Sequence, residues 1–191
     1  GARAAGKRSL AMGRYLGDQL YGRHTWAYFR TAQFTSRPSH ADQLHLDLWW
    51  RGTNVTCDPG TYRYTAAHPW DNALTAAYYH NTVTMNGRDQ MRRAGRFLYL
   101  DWVQAYRQAL PVEDPRELQR VRGRYRLAGF RHTRIVTARE DDLWRVVDEV
   151  LDLHALWRRR TFSARLHWLL PDWGWEMDPW QMAGFPRFPG S

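Results

Sequence analysis

Hydrophobic residues recur at every second position over much of the chain after residue 25, a pattern typical of half-buried β-strands. The clearest case is residues 44–49, where three leucines alternate with other side chains. Turn-forming residues follow at 51–54, and Val55 begins a second short apolar segment. These segments predict an antiparallel hairpin, and the Asn86-Gly87 dipeptide predicts another tight hairpin turn.

The second half of the chain repeats this pattern in short segments separated by polar turns. Residues 102–109 have some helix propensity, and residues 1–24 are interpreted as an N-terminal connector or short helix. Residues 25–191 are interpreted as one domain, an all-β antiparallel β-sandwich. Its later strands are predicted at residues 125–130, 133–137, 144–150 and 161–169.

The charge of the chain changes the range of expected partners. The formal net charge of the 191 residues is +9, and Lys7 is the only lysine, so arginine carries the positive charge. A basic protein attracts polyanions, namely nucleic acid, acidic polysaccharide or anionic lipid, although a composition bias toward arginine gives the same charge. No nucleic-acid-binding motif is present and the arginines are scattered along the sequence, which disfavours nucleic acid.

The aromatic residues, the single cysteine and the absence of long apolar runs limit the classes of protein that remain possible. The 11 tryptophans and 10 tyrosines are expected mainly in the core, although their faces also stack on sugar rings. Cys57 is the single cysteine, so no intrachain disulfide forms. No run of about 18 apolar residues exists, and no membrane span is predicted.

Three segments carry residues suited to chemistry, and each lies at a predicted strand end. They contain His40 with Asp42, then Asp58, and then His80. Imidazoles and carboxylates together suit zinc, and carboxylate-rich sites also suit calcium or manganese. The alternative is that both histidines bond to backbone groups in loops and that Asp58 caps a turn. The residues alone leave both interpretations open.

Taken in order, these segments resemble the heparinase II/III-like family of polysaccharide lyases. Later segments at residues 130–134, 143–149 and 165–171 resemble its downstream strands, so the likeness covers about residues 25–175. The matching motifs are Ser-His-Ala-Asp-Gln-Leu-His-Leu at 39–46, Asp-Pro-Gly-Thr-Tyr at 58–62, and His-Asn-Thr-Val-Thr at 80–84 with Asn-Gly at 86–87 and Gln at 90.

The resemblance implies an antiparallel β-sandwich of the supersandwich type, which follows an α/α toroid domain in the family. An acidic polysaccharide, such as a glycosaminoglycan, then lies between the two and is cleaved by β-elimination beside a uronate carboxylate. A base removes the C5 proton and an acid protonates the departing glycosidic oxygen. Such enzymes are periplasmic or secreted.

The family's functional residues fall on four positions of this chain. His40 matches a histidine that takes part in proton transfer, a role suited to a near-neutral imidazole. Asp42, Asp58 and His80 match a cluster that binds a divalent metal ion (zinc, calcium or manganese), expected to be structural. The position of Asp42 is histidine in some members, and Asn86 stands where an aspartate is expected.

The likeness begins close to the first residue, so no toroid has a counterpart in this sequence. We therefore expect little or no lyase activity from the chain by itself. The alternative is a non-catalytic carbohydrate-binding β-sandwich that keeps the fold and the metal.

Overall fold

The computed structural model describes residues 15–61, 63, 65–68, 70–154, 161–177 and 184–186. These residues form antiparallel strands and two short 3₁₀ helices, Ala73–Thr75 and Ala77–Tyr79. The predicted all-β class is confirmed. The strands are β1 Tyr15–Tyr21, β2 Thr25–Gln33, β3 Leu46–Trp50, β4 Thr53–Thr56, β5 Val83–Met85, β6 Arg92–Gly95, β7 Leu98–Leu100, β8 Tyr106–Ala109, β9 Glu117–Leu127, β10 Phe130–Arg139, β11 Trp144–Asp152, β12 Ala164–Leu166, β13 Trp175–Met177 and β14 Gly184–Pro186.

The first large sheet is a meander in the order β1-β2-β3-β4. Alternate residues of β2 are buried, Ala27 and Phe29 completely, as expected for a strand with one face on the core. The predicted hairpin is confirmed as β3 and β4. Its turn residues Arg51 and Gly52 have φ values of 46° and 83°, which glycine adopts without strain.

The second large sheet has the order β11-β10-β9-β8. The strand predicted at residues 125–130 is wrong, because Ala128 and Gly129 form a turn with φ values of 49° and 86°. That turn separates the long strands β9 and β10. The sequence pattern therefore located the strand pair but missed the turn within it.

A shared core joins the two large sheets. Gly123 on β9 packs so closely that a Cβ atom there would lie 2.4 Å from Leu44 and 2.7 Å from Phe29. Only glycine permits this approach of β9 to the first sheet. The core includes residues of both sheets, among them Leu20, Ala27, Phe29, Leu46, Val121, Tyr125, Phe130 and Val136.

The N-terminal connector or helix predicted at residues 1–24 is wrong for its second part. Residues 15–21 form β1, which pairs with β2 along most of its length, while residues 1–14 lie outside the described residues. The weak helical tendency at residues 102–109 is also overridden, because Tyr106–Ala109 forms an edge strand beside β9. In both places pairing with a neighbouring strand outweighs local propensity.

Smaller elements connect the two large sheets. The two 3₁₀ helices lead into β5, which pairs with β12. After β5, Asn86 and Gly87 both have positive φ, 53° and 60°, so the tight turn predicted there is confirmed. The predicted hairpin is wrong, because only Met85 and Arg88 form a bridge across the turn and β6 pairs with β7. Among the residues that the structure describes, no helix is long and apolar enough to cross a membrane.

Candidate functional site

Three loops distant in sequence meet at the open end of the β3–β4 hairpin. Antiparallel pairing of Leu48 with Thr56 brings the loop before β3 next to the loop after β4. The second 3₁₀ helix delivers His80 to the same place, and its backbone N–H closes that helix on Ala77. The hairpin and the helix therefore bring together residues about 40 positions apart in the sequence.

Three of the four residues predicted from sequence lie together at this point. One ligand atom each from His40, Asp58 and His80 lie within 4.8 Å of one another. The imidazole rings of His40 and His80 are 5.3 Å apart between centroids. Asp42 is not part of this group of three and pairs with Arg30 instead.

Asp42 differs from the other three because it has an internal counter-ion. Its side chain is 8% exposed, and its Oδ1 accepts a hydrogen bond from Arg30 Nε at 3.1 Å. Burial by itself raises the pKa of Asp42, but Arg30 and the nearby imidazoles outweigh it and hold the pKa below its ordinary value. Asp42 is therefore a carboxylate in the folded protein.

His80 is the most unusual side chain of the site. It is completely buried, and neither Nδ1 nor Nε2 has a hydrogen-bond partner among the described residues. Nδ1 lies 3.8 Å from Asp58 Oδ2. Burial lowers the pKa of His80, so the ring is neutral at physiological pH. A neutral buried imidazole without partners is costly, and coordination of a metal ion would satisfy one nitrogen.

His45 belongs to the site, although the sequence analysis did not assign it a role. Its Nδ1 accepts a hydrogen bond from the Asn81 backbone N–H at 2.9 Å, which leaves the proton on Nε2. Nε2 lies 3.5 Å from Asp58 Oδ2. Burial lowers the pKa of His45 to about 3, so the ring remains neutral. The signal for it was present, since His45 lies five positions after His40 in the same matching motif.

Asn81 fixes the three loops to one another. Its side-chain N–H groups donate to the Leu46 carbonyl at 2.9 Å and the Cys57 carbonyl at 3.0 Å. Its side-chain oxygen accepts the Leu169 N–H at 2.6 Å. The Cys57 N–H in turn donates to the Leu169 carbonyl at 2.8 Å. One amide therefore determines where Asp58 and His80 lie relative to β3.

Gln43, three residues after His40, provides a second buried link. Its side chain accepts the Ala32 N–H at 2.9 Å and donates to the carbonyls of Ala32 and Val103. Its backbone N–H donates to Gln90 Oε1 at 2.7 Å. This segment includes Leu44 in a left-handed conformation, φ 61°, which is uncommon for leucine and needs such anchoring.

A buried ion cluster supports the site from β10 and β11. Arg134 is completely buried, and its guanidinium donates to both oxygens of Asp148, at 2.8 and 2.9 Å. Nη1 donates to the carbonyls of Leu44 and Asn81, one from each site loop. The sequence analysis missed this role. An arginine on the inward face of an apolar strand was the available signal, because a buried charge needs partners.

His132 completes that cluster. Its Nε2 lies 2.7 Å from Asp148 Oδ1 and donates to it. Burial lowers the pKa of His132. Burial raises the pKa of Asp148, but His132 and Arg134 more than offset this and bring the pKa to about 2. The cluster therefore holds one carboxylate and one guanidinium at all physiological pH values.

The chain was compared with known families and structures. The family model described as Heparinase II/III-like, C-terminal, matches residues 3–179. A solved heparinase III gene product superposes with a TM-score of 0.66 and 17% identity, over 91% of this chain and 27% of that one. A second structure, with methylated lysines, gives 0.60 and 16% over 91% and 27%. No curated protein matches the chain.

These comparisons agree with the resemblance noted in the sequence. At 17% identity the structural likeness is one of fold, and the chain spans 27% of the length of the solved heparinase III. The family model covers nearly all of the chain, including every residue of the site. The chain therefore belongs to the heparinase II/III-like C-terminal family.

Proposed function

We propose that this chain is the β-sandwich part of a polysaccharide lyase that cleaves uronic-acid-containing acidic polysaccharide by β-elimination. The observation that carries the proposal is the meeting of His40, Asp58 and His80 in one place. These positions match the family's motifs in the correct order. Elimination beside a carboxylate needs a proton-transfer group next to positive charge, and the site would supply the proton-transfer group.

His40 is the group proposed to move a proton. Of the three imidazoles at the site, His45 and His80 are buried, whereas His40 is partly exposed and can reach a bound sugar. A general acid or base must lie within hydrogen-bond distance of the proton that it transfers. Partial exposure therefore favours His40 for this role and favours the two buried rings for structural roles.

The same site is proposed to hold a divalent metal ion through Asp58 and His80. The unpaired nitrogens of His80 support this, because a ligand would relieve their burial. His40 already lies within 4.8 Å of the ligand atoms of Asp58 and His80, whereas Asp42 is paired with Arg30. We propose Asp42 as the third ligand, because it matches the family's metal cluster and because this leaves His40 free. An imidazole with carboxylates suits zinc or manganese better than calcium, which prefers oxygen ligands. The ion would chiefly hold the loops together.

Metal binding can be tested on this chain directly. The purified chain is stripped with a chelator, and its Tm is then measured with zinc, manganese or calcium. Zinc at about 100 times its Kd should stabilise by about 2.7 kcal/mol, which is roughly 5–10 °C for a chain of this size. Asp58→Asn and His80→Gln should abolish the shift. Asp172→Asn and His68→Gln, at exposed positions, are the matched controls.

The third ligand is identified by metal content. If the proposal is correct, Asp42→Asn lowers zinc stoichiometry whereas His40→Ala keeps it. The opposite result would make His40 a ligand and remove it from proton transfer. If no metal raises the Tm and Asp58→Asn leaves stability unchanged, the metal proposal fails.

Lyase activity is tested by the ultraviolet absorbance of the unsaturated uronate product. Heparan sulfate, alginate and polygalacturonate are offered to the chain alone and to the chain joined to any α/α toroid that its gene encodes upstream. We expect activity only from the joined protein, and a loss of about 100-fold or more with His40→Ala. Binding without cleavage by the joined protein would instead support a carbohydrate-binding module.

A further inference from the structure

Four arginines lie on the outer face of the second sheet. Arg120, Arg122, Arg124 and Arg126 occupy every second position of β9. The residues between them, including Val121 and Tyr125, are buried toward the core. Because side chains alternate across a strand, the arginines share the outward face, with successive Cα atoms about 6.8 Å apart.

The neighbouring strands extend this surface. On β10, Arg131 lies directly opposite Arg126, and on β8, Tyr106 lies opposite Arg124. We refer to Arg120, Arg122, Arg124, Arg126 and Arg131 as the arginine face. Inward residues of β10, such as Arg134, point through the other side of the sheet toward the candidate site. The arginine face and the candidate site are therefore on opposite faces of one sheet.

Acidic neighbours do not neutralise the arginine face. Arg120 forms an ion pair with Glu113. Within the described ranges, no ion pair involves Arg122, Arg124, Arg126 or Arg131. Arg122 donates only to the neutral Gln108 side chain, and Arg131 Nε is buried without a hydrogen-bond partner. The face thus keeps most of its positive charge available.

Two acidic groups lie near the edges of this surface. Glu149 on β11 faces outward and lies opposite Thr133, one strand beyond β10 from Arg124. Asp101 lines the depression described below, and its exposed side chain is paired with Arg92 at 3.1 Å. Placing guanidinium groups side by side on a strand costs repulsion. A bound anion would remove that cost, whereas core packing of the sheet does not require arginine there.

A depression of about 640 Å³ opens on the same surface. Arg124, Arg126 and Arg131 line it together with two aromatic side chains, Trp102 and Tyr106. The aromatic residues are 36% and 55% exposed, so their faces are accessible to a ligand. Guanidinium groups bind carboxylates and sulfates through two N–H groups, and exposed aromatic faces stack on sugar rings. The depression combines both kinds of contact.

We propose that the arginine face is a second binding site, for a linear polysaccharide that carries carboxylate or sulfate groups. The chain would cross the outer surface of β9, with anionic groups on the arginines and sugar rings against Tyr106 and Trp102. This site would retain a polymeric ligand while the candidate site on the other face acts. The choice of polysaccharide over nucleic acid as the ligand rests on the proposed function. The existence of an anion-binding site on the arginine face does not depend on that function.

The test compares two triple variants of the full 191-residue chain with the same loss of charge. The first is Arg122→Gln/Arg124→Gln/Arg126→Gln. The second, the control, changes three exposed arginines elsewhere, Arg51→Gln/Arg88→Gln/Arg96→Gln. Binding of heparin, polygalacturonate and single-stranded DNA is measured by fluorescence anisotropy over a range of salt concentrations, and circular dichroism verifies folding.

We expect the first triple variant to weaken heparin binding roughly tenfold or more and to flatten its salt dependence, while the control changes little. Tyr106→Ala should weaken heparin binding with the salt dependence unchanged. Equal losses in both triple variants would mean attraction by net charge alone and would overturn the site. Tighter, arginine-face-dependent binding of DNA than of heparin would overturn the ligand assignment.

Failure of this proposal can be told apart from failure of the proposed function. The first triple variant should keep the zinc-dependent rise in Tm of the unmodified chain, because the arginine face lies on the other side of the sheet from Asp58 and His80. If the first triple variant loses that rise in Tm together with heparin binding, then the arginine face is not separate from the candidate site.

Discussion

The two faces of the second sheet use arginine in opposite ways. On the inner face, Arg134 is fully buried and bonded to Asp148 and to two loop carbonyls. On the outer face, Arg122, Arg124 and Arg126 follow one another along β9 without a carboxylate partner in the described part of the chain. The same side chain is therefore structural on one face and available to a ligand on the other.

The difference shows what burial does to a charge. A guanidinium taken out of water must be matched by acceptors on every side, so its neighbours are fixed in turn. Arg134 accordingly fixes the backbone at Leu44 and Asn81, beside the candidate site. A solvated guanidinium has no such requirement, so it stays free to pair with an anion that binds from solution. The inner arginine should govern stability, and the outer arginines should govern binding.

The largest effect is expected from the inner face. Arg134→Met leaves Asp148 buried without its counter-ion and two carbonyls without a donor. We expect the free energy of unfolding to fall by about 3–5 kcal/mol, as for other broken buried ion pairs. Urea denaturation followed by circular dichroism measures this change. Zinc binding should weaken as well, because the site loops lose their support.

A double variant separates loss of the ion pair from loss of packing. Arg134→Met/Asp148→Leu removes both charges and should recover part of the lost stability. If Arg134→Met by itself costs less than about 1 kcal/mol, the inner arginine is not the structural element described above.

An intermediate effect is expected from acid. Because the folded-state pKa of Asp148 is about 2, below the ordinary value of 3.8, its carboxylate stabilises the fold fully above about pH 5. That contribution, about 2 kcal/mol, is lost as the pH falls through 2. Unfolding free energies measured from pH 5 downward should decline less steeply in Asp148→Asn than in the unmodified chain.

Two checks accompany the acid prediction. Burial lowers the pKa of His132 below its ordinary value of 6.5. Protonation of His132 therefore also destabilises the fold as the pH falls below 6.5. The comparison of slopes begins at pH 5 for this reason. Asp172→Asn, at an exposed position outside the cluster, should keep the slope of the unmodified chain. Parallel slopes for Asp148→Asn and the unmodified chain would contradict the prediction.

The smallest effect on stability is expected from the outer face. Arg124→Gln replaces an exposed side chain that has no ion pair among the described residues. The free energy of unfolding should change by no more than about 0.5 kcal/mol, as is usual for surface positions. A loss above about 1 kcal/mol in urea denaturation would mean that Arg124 is structural and that the contrast between the two faces is wrong.

Local sequence signals predicted part of this fold well. The hairpin at β3 and β4 and the turn at Asn86 and Gly87 follow from residues that accept positive φ. The turn at Ala128 and Gly129 was missed because alanine rarely adopts positive φ and is not a typical turn residue. Strand β1 was missed because its membership depends on pairing with β2, which no local pattern records.

The candidate site was predicted in outline only. His40, Asp42, Asp58 and His80 were selected by their resemblance to a family motif, and the structure brings His40, Asp58 and His80 together. The internal counter-ion of Asp42 could not be predicted, because Arg30 lies on β2 and Asp42 lies in the loop before β3. The arginines looked scattered in sequence, but the period of two along β9 gathers four of them on one surface.

The bonds of Asn81 also have a consequence for synthesis. Its side-chain oxygen and the Cys57 loop are both completed by the backbone of Leu169, close to the end of the described chain. During translation the earlier strands emerge first and can begin to fold. The loops bearing the histidines and aspartates cannot form these hydrogen bonds until residue 169 has left the ribosome. In a nascent chain the first strands should therefore fold before the candidate site is assembled.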